Sequence, residues 1–377
     1  MTDVNVNLSR IAKYAIIMAF TLAIMYFGKN ILIPLVISMF IAFLLYPLCH
    51  FFERKLARIL SIVLTFVIVL LIITGIVYFF GTQFYHLFQN IKNFGEQIHT
   101  SIDKVVKFID DTVLHGRIDL GKIVRNNSYN ILGSGRFIEN TISASTGIIA
   151  SFIMIGVFTF LFLLYRTSFK NLILYYFPIE EKENASRILM KIQKVGQRYF
   201  FGLFLVILIL GSLNGVGLWI IGLDYAFLFG YFAAFLAIIP YIGTFIGGLL
   251  PFLYALINHN HPWTAIFVLL WYMFVQALEG NIITPNIVGS NIHLNPLIAL
   301  IAIFTGALIW GIPGMILFIP GMAVLKVIFD NVDSLKPFGV LLSSEFGSQK
   351  STWLKKIGKK MNVSAEADKM DKNVMSS

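Results

Sequence analysis

Between Arg198 and Lys326 the chain runs through 127 residues, 199–325, without one Lys or Arg, yet it keeps two carboxylates there, Asp224 and Glu279. A charge at the middle of a bilayer costs at least about 2.5–3.5 kcal/mol, so a stretch cleared of basic residues reads as membrane-embedded. Composition supports this: 58% of the residues are hydrophobic and 13% charged, and mean hydropathy is +0.81, whereas soluble domains carry about 25% charged residues. Such a chain cannot cover itself with polar atoms, so lipid must solvate much of it. The 29 Lys and Arg against 19 Asp and Glu do not point to nucleic acid, because they cluster in the connections between apolar blocks, as membrane topology requires. Cys49 is the single cysteine, which excludes an intrachain disulfide and any Cys-based metal site. The first block, Ile11–Phe27, lacks a small-residue cleavage site and reads as a retained helix, not a signal peptide.

About 20 apolar residues make one crossing, and that ruler predicts helices near 11–28, 31–49, 59–81, 147–165, 199–222, 225–257, 263–283 and 297–329. The expected fold is therefore all-α, a polytopic membrane protein of about eight transmembrane helices. Three N-terminal helices fill 1–81, an outer segment follows over 82–146, and the fourth helix precedes a second polar segment, 166–198. A C-terminal membrane core occupies 199–329, and a basic tail, 330–377, is expected to be largely disordered. Blocks six and eight are too long for simple spans. Pro240 and Gly243 break the sixth; Pro313, Gly314 and Pro320 break the eighth. Each is one kinked helix or a re-entrant hairpin. If each crosses once, Arg54, Lys55 and Arg58, the seven basic residues of 166–198 and the lysines of the tail share the cytoplasmic side with both termini. In the outer segment Phe84, Phe88, Ile91, Phe94, Ile98, Ile102, Val105, Ile109 and Val113 recur at helical spacing, an amphipathic face for the membrane surface or a neighbouring subunit. Leu120–Ile142 repeats this more weakly.

Glu279 is the sharpest candidate. It stands in Gln276-Ala-Leu-Glu279-Gly280-Asn281, followed by Thr284-Pro285-Asn286, near the end of a span. Pro285 removes a backbone donor, and Gly280 is expected to let another backbone approach. Carbonyls, amides and one carboxylate then converge, as a solute or cation site requires; the plainer alternative is an interfacial carboxylate capped by water and Asn281. Asp224 is either on the same path or, the preferred reading, an N-cap of the next helix. The run Pro240-Tyr241-Ile242-Gly243-Thr244-Phe245-Ile246-Gly247-Gly248, with Pro251 behind it, frees backbone groups in mid-membrane, which need protein or a cavity to satisfy them. A hinge or a half-helix terminus facing a solute follows. Gly211 and Gly215 read as close helix packing, and Asn214 as an interhelical hydrogen bond. His259 and His261 have no Cys, Asp or Glu near them, so no metal site is expected. With no GxxxxGK[ST], HExxH or GxSxG pattern, neither a P-loop ATPase nor a protease or lipase is expected, and no cofactor.

Taken in order, Pro34 and Pro47, the basic turn, Ile239-Pro240-Tyr241-Ile242-Gly243, the run from Gln276 through Glu279, Pro285 and Gly289 to Leu294-Asn295-Pro296, and Gly306-Ala-Leu-Ile-Trp310-Gly311-Ile-Pro313-Gly314 with Pro320 resemble the AI-2E family of membrane transporters, the PerM-like permeases. Two departures stand out: Asn295-Pro296 where Ser-Pro is frequent, and Thr244-Phe245 where a Pro often follows Gly243. The resemblance implies a transporter of a bacterial inner membrane, not an enzyme, assembled as a homo-oligomer with the pentamer as the arrangement to test. Members of the family export the quorum-sensing signal autoinducer-2, and others exchange Na⁺ for H⁺. The leading expectation is secondary export of a small polar solute such as autoinducer-2. Na⁺(Li⁺)/H⁺ antiport through Glu279 is the alternative, and a non-transporting membrane scaffold built on the outer segment is the rival of another class.

Overall fold

The computed structural model describes residues 8–90, 136–239, 242–258, 262–289 and 294–344. Most of the outer amphipathic pattern, the Pro240-Tyr241 break, the His259 and His261 loop and the tail beyond 344 lie outside these residues. In lipid a backbone polar group finds no water, so each segment must satisfy its own amides, and a single-segment helix does so completely. The apolar blocks accordingly form α1 (Leu8–Phe27), α2 (Lys29–Glu53), α3 (Arg58–Asn90), α4 (Arg136–Tyr175), α5 (Lys182–Ile221), α6 (Ala226–Leu236), α7 (Ile242–Asn258), α8 (Pro262–Leu278), α9 (Pro296–Trp310), α10 (Ile312–Asn331) and α11 (Lys336–Leu342). Six described segments are long and apolar enough to cross a membrane: 29–53, 58–87, 150–175, 179–221, 263–288 and 312–331. The chain is an all-α polytopic membrane protein.

Blocks six and eight resolve as hairpins. In the sixth, α6 and α7 run antiparallel: a Cβ on Gly247 would lie 2.7 Å from the Ala233 Cα, and one on Gly243 would lie 2.7 Å from the Ala237 nitrogen. Eleven residues of α6 reach about 16 Å at about 1.5 Å per residue, half of a hydrocarbon core of about 30 Å. α7, of 17 residues, reaches about 25 Å, so the two limbs of this hairpin are unequal. In the eighth, α9 and α10 meet at Gly306 and Gly314, where a Cβ on Gly306 would come within 2.6 Å of the Gly314 carbonyl carbon. Gly311 makes that turn at φ 65° and ψ −140°, a conformation open to glycine. Asn295 starts α9 as an N-cap, its Oδ1 accepting from Leu297 N–H at 3.0 Å.

Two further boundaries differ from expectation. α5 is one helix of 40 residues, so the polar helix after Pro178 and the span from 199 are continuous, with no break at 198. α1 joins α2 through Gly28 alone: Gly28 N–H bonds Ile24 O at 2.8 Å and Leu32 N–H bonds Gly28 O at 2.9 Å. The link is a bend in nearly continuous helix and not a loop.

The ends of α2, α3 and α4 are tied on the basic side, where Arg166 pairs with Glu53 and Arg58 donates to the Thr167 hydroxyl at 3.0 Å. Deeper in, the Ser38 hydroxyl donates to Ile155 O at 3.1 Å, holding α2 to α4, and Gln197 donates to Phe43 O at 2.8 Å, holding α5 to α2. At the far end of α5, Leu218, Leu223, Phe229, Tyr254 and Val268 form the main buried cluster. Because the α6–α7 hairpin returns to that far side, α8 starts there and runs back toward the basic side. The α9–α10 base returns to the basic side too, since Lys191 near the start of α5 donates to Asn331 Oδ1 at 3.0 Å.

Candidate functional site

Glycines decide where helices come closest. On α5, Gly211 and Gly215 leave a flat strip into which α6 sets Gly230; a Cβ there would lie 2.7 Å from Gly211 O and 2.8 Å from the Gly215 Cα. Backbone contact of this kind is how membrane helices gain packing without a hydrophobic driving force. α6 is clamped to α5, and the turn of its hairpin faces α8. Between them opens a narrow cleft with room for about one water, lined by Leu210 and Asn214 of α5, Ala233, Ala234 and Ala237 of α6 and its turn, Thr244 of α7, and Tyr272, Val275, Gln276 and Glu279 at the end of α8.

Glu279 sits where α8 changes register into the π-helical turns Glu279–Ile283 and Pro285–Gly289. Pro285 has no N–H to return to the preceding turn, and the wider turn accommodates that loss; π-turns of this sort recur at functional sites. Gln276 Nε2 donates to Glu279 Oε2 at 2.7 Å, and the Thr284 hydroxyl is also hydrogen-bonded to the carboxylate. Glu279 is half-buried, and the lining residues include no Lys or Arg. Seventeen residues beyond Pro262, it stands about 25 Å along α8, toward the basic side of the membrane. Tyr272 directs its hydroxyl to Phe229 O at 3.5 Å.

The structure thus brings Gln276 and Glu279 together with the hairpin turn beside Gly243, but it does not bring every expected residue there. Asp224 is exposed at the α5–α6 turn, a full α6 length from the cleft. It does not cap α6 either: Tyr225, at φ 56°, is the N-cap, and no side chain bonds the cap position. Asn281 spends its amide on Ala277 O at 2.8 Å, and Asn281, Pro285 and Asn286 are exposed on the π-turns. A Cβ on Gly280 would meet open space, so among the described residues no backbone approaches it, contrary to expectation. A Cβ on Gly248 would lie 3.3 Å from the Tyr272 Cδ1, while Pro251 is fully buried in α7. Pro313, Gly314 and Pro320 shape the second hairpin, which contributes no residue to the cleft. Pro240 and Tyr241 lie outside the described residues.

Three lining groups escaped the sequence as site residues. Ala233 and Ala237 show only as small residues one helical turn apart. Tyr272 is hidden among apolar neighbours. Asn214, expected to bond a neighbouring helix, is 5% exposed, and its Oδ1 finds no hydrogen-bond partner among the described residues.

Membrane-crossing helices, two helical hairpins and a polar cleft define a polytopic membrane protein. The chain belongs to the AI-2E transporter family, whose model it matches over residues 15–334. Among its relatives, "Putative transport protein YrrI" of Bacillus subtilis is 32% identical over 321 residues, covering 79% of this chain and 86% of that protein. "AI-2 transport protein TqsA" of Escherichia coli is 21% identical over 324 residues, covering 84% and 90%. "Putative transport protein YhhT" of Escherichia coli is 22% identical over 323 residues, covering 84% and 88%.

Proposed function

We propose that this protein is a secondary exporter of a small polar solute, autoinducer-2 being the substrate to test first, in a bacterial inner membrane with both termini cytoplasmic. The observation that carries the proposal is the cleft. One carboxylate, one amide donor and hydroxyls converge beside the α6–α7 hairpin turn, with no cationic side chain among the lining residues to recruit an anion. A carboxylate oxygen accepts from sugar-like hydroxyls without changing its own charge state. The relative named for autoinducer-2 transport, aligned along most of both chains, supports the choice of substrate. In vesicles containing the purified protein, labelled autoinducer-2 crosses, and Glu279→Gln slows it at least tenfold. Passage at the wild-type rate in that variant refutes the role of Glu279; no passage in the wild type refutes the substrate.

Absence of Lys and Arg from the cleft also favours a second reading, in which Glu279 alternates between Na⁺ and H⁺. There, added Na⁺ or Li⁺ dissipates a preset pH gradient and Glu279→Gln abolishes the response. A protein that does neither is a scaffold.

A further inference from the structure

Pro47 stands inside α2. Its nitrogen has no N–H to give to the carbonyl four residues back, and its ring crowds that carbonyl, so Phe43 O loses its helical partner. Phe43 lies about 15 Å along the helix from Glu53 at the basic end, at a depth where lipid supplies no donor. Another helix supplies it instead. Gln197 of α5 donates from Nε2 to Phe43 O at 2.8 Å. Its neighbour Gly196 keeps that reach short: a Cβ there would lie 2.9 Å from the Phe43 Cδ2 and 3.3 Å from the Phe40 Cδ1.

The two sides of Pro47 are anchored separately. Before it, the Ser38 hydroxyl fixes α2 to α4 at Ile155 O. After it, Cys49 shares a buried cluster with Ile62 of α3 and Leu163 of α4, and Glu53 pairs with Arg166. Pro47 itself is exposed, so packing on its ring does little to fix the kink. A helix interrupted by proline bends at that point, and here the carbonyl that the proline leaves free is held from outside.

We infer that Pro47 is a hinge in α2 and Gln197 its latch. While Gln197 holds Phe43 O, the end of α2 stays seated on α3 and α4; when the bond breaks, that end swings and uncovers Cys49. The latch sits on α5, the helix whose Gly211 and Gly215 also seat the α6 hairpin, so a movement of α5 reaches the basic-side end of α2. The device is independent of which solute crosses.

Cys49 is the single cysteine and is fully buried, so its labelling by N-ethylmaleimide, in vesicles of the full-length protein, reads the opening. Gln197→Met keeps the shape of the side chain and removes the donor. This variant labels about tenfold faster than wild type, about 1.4 kcal/mol, the scale of one buried acceptor left bare. Pro47→Ala restores the helical N–H to Phe43 O and labels more slowly than wild type. Adding Gln197→Met to Pro47→Ala then changes the rate by less than about twofold, because the two positions act on one carbonyl. Equal rates in wild type and Gln197→Met overturn the latch. The same acceleration with and without Pro47 overturns it too, since Gln197 would then act by packing alone. If Gln197→Met does not fold, Pro47→Ala by itself decides: labelling as fast as wild type, or faster, overturns the hinge.

Discussion

Gly230→Ala probes the clamp that creates the cleft. The added methyl would lie 2.7 Å from Gly211 O and 2.8 Å from the Gly215 Cα, while ordinary contact begins near 3.4 Å. These obstacles, with the Gly215 nitrogen closer still, are all helix backbone, so α6 must retreat from α5 by about 1 Å, and its hairpin turn moves with it. Overpacking of this size costs about 1–3 kcal/mol, set against a gain of up to about 1 kcal/mol from replacing helical glycine by alanine. The net loss of up to about 2 kcal/mol corresponds to a fall of up to about 5 °C in melting temperature. Gly75→Ala on α3 is the control, since nothing lies within 4 Å of its Cβ, and there the helix gain stands alone. Thermal melts of both variants in one detergent, followed by the loss of the monodisperse peak on size-exclusion chromatography, should move in opposite directions. Equal melting temperatures, or a Gly230→Ala protein more stable than Gly75→Ala, would refute the claim that backbone contact at Gly211 and Gly215 seats α6.

The second hairpin and its start are tested in the same melts. Gly311→Ala forces a side chain into φ 65° and ψ −140°, at a cost of about 1–3 kcal/mol, whereas Gly280→Ala, facing open space, leaves stability unchanged or raises it. A neutral Gly311→Ala would show that the turn has another conformation open to it. Asn295→Ala removes the cap on Leu297 N–H and costs about 0.5–2 kcal/mol, while Asn295→Ser, which supplies the same acceptor, is close to neutral. Equal losses in both would mean that the cap bond carries none of the stability. The same capping chemistry explains why Asn295-Pro296 replaces the Ser-Pro frequent in the family without disturbing the start of α9.

Much of the fold was legible in the chain because lipid imposes one rule on every segment: satisfy the backbone locally. That rule, with the block lengths, the lack of basic residues over 199–325 and the Pro and Gly positions, is enough for an all-helical membrane protein whose sixth and eighth blocks are broken. Glu279 was also visible, as a carboxylate with Gln276, Gly280 and Pro285 around it in an otherwise apolar span. The pairing of helices was not. Hydropathy says that a residue is in the membrane but not which helix it faces, because lipid and protein interior are equally apolar. The chain singled out Glu279 over Asp224, but only the structure shows Asp224 at an exposed turn where it does not cap α6.

By itself, then, the sequence determined which segments lie in the bilayer, where they break, and which carboxylate is out of place among them. Only the tertiary structure decided that the broken blocks fold back on themselves, that the first hairpin turns beside Glu279, and that Asn214 Oδ1 is left without a hydrogen-bond partner among the described residues. The reason is steric: these outcomes depend on backbones meeting at Gly211, Gly215, Gly230, Gly306 and Gly314. Such contacts join residues far apart in the chain, and no local pattern encodes which glycine meets which.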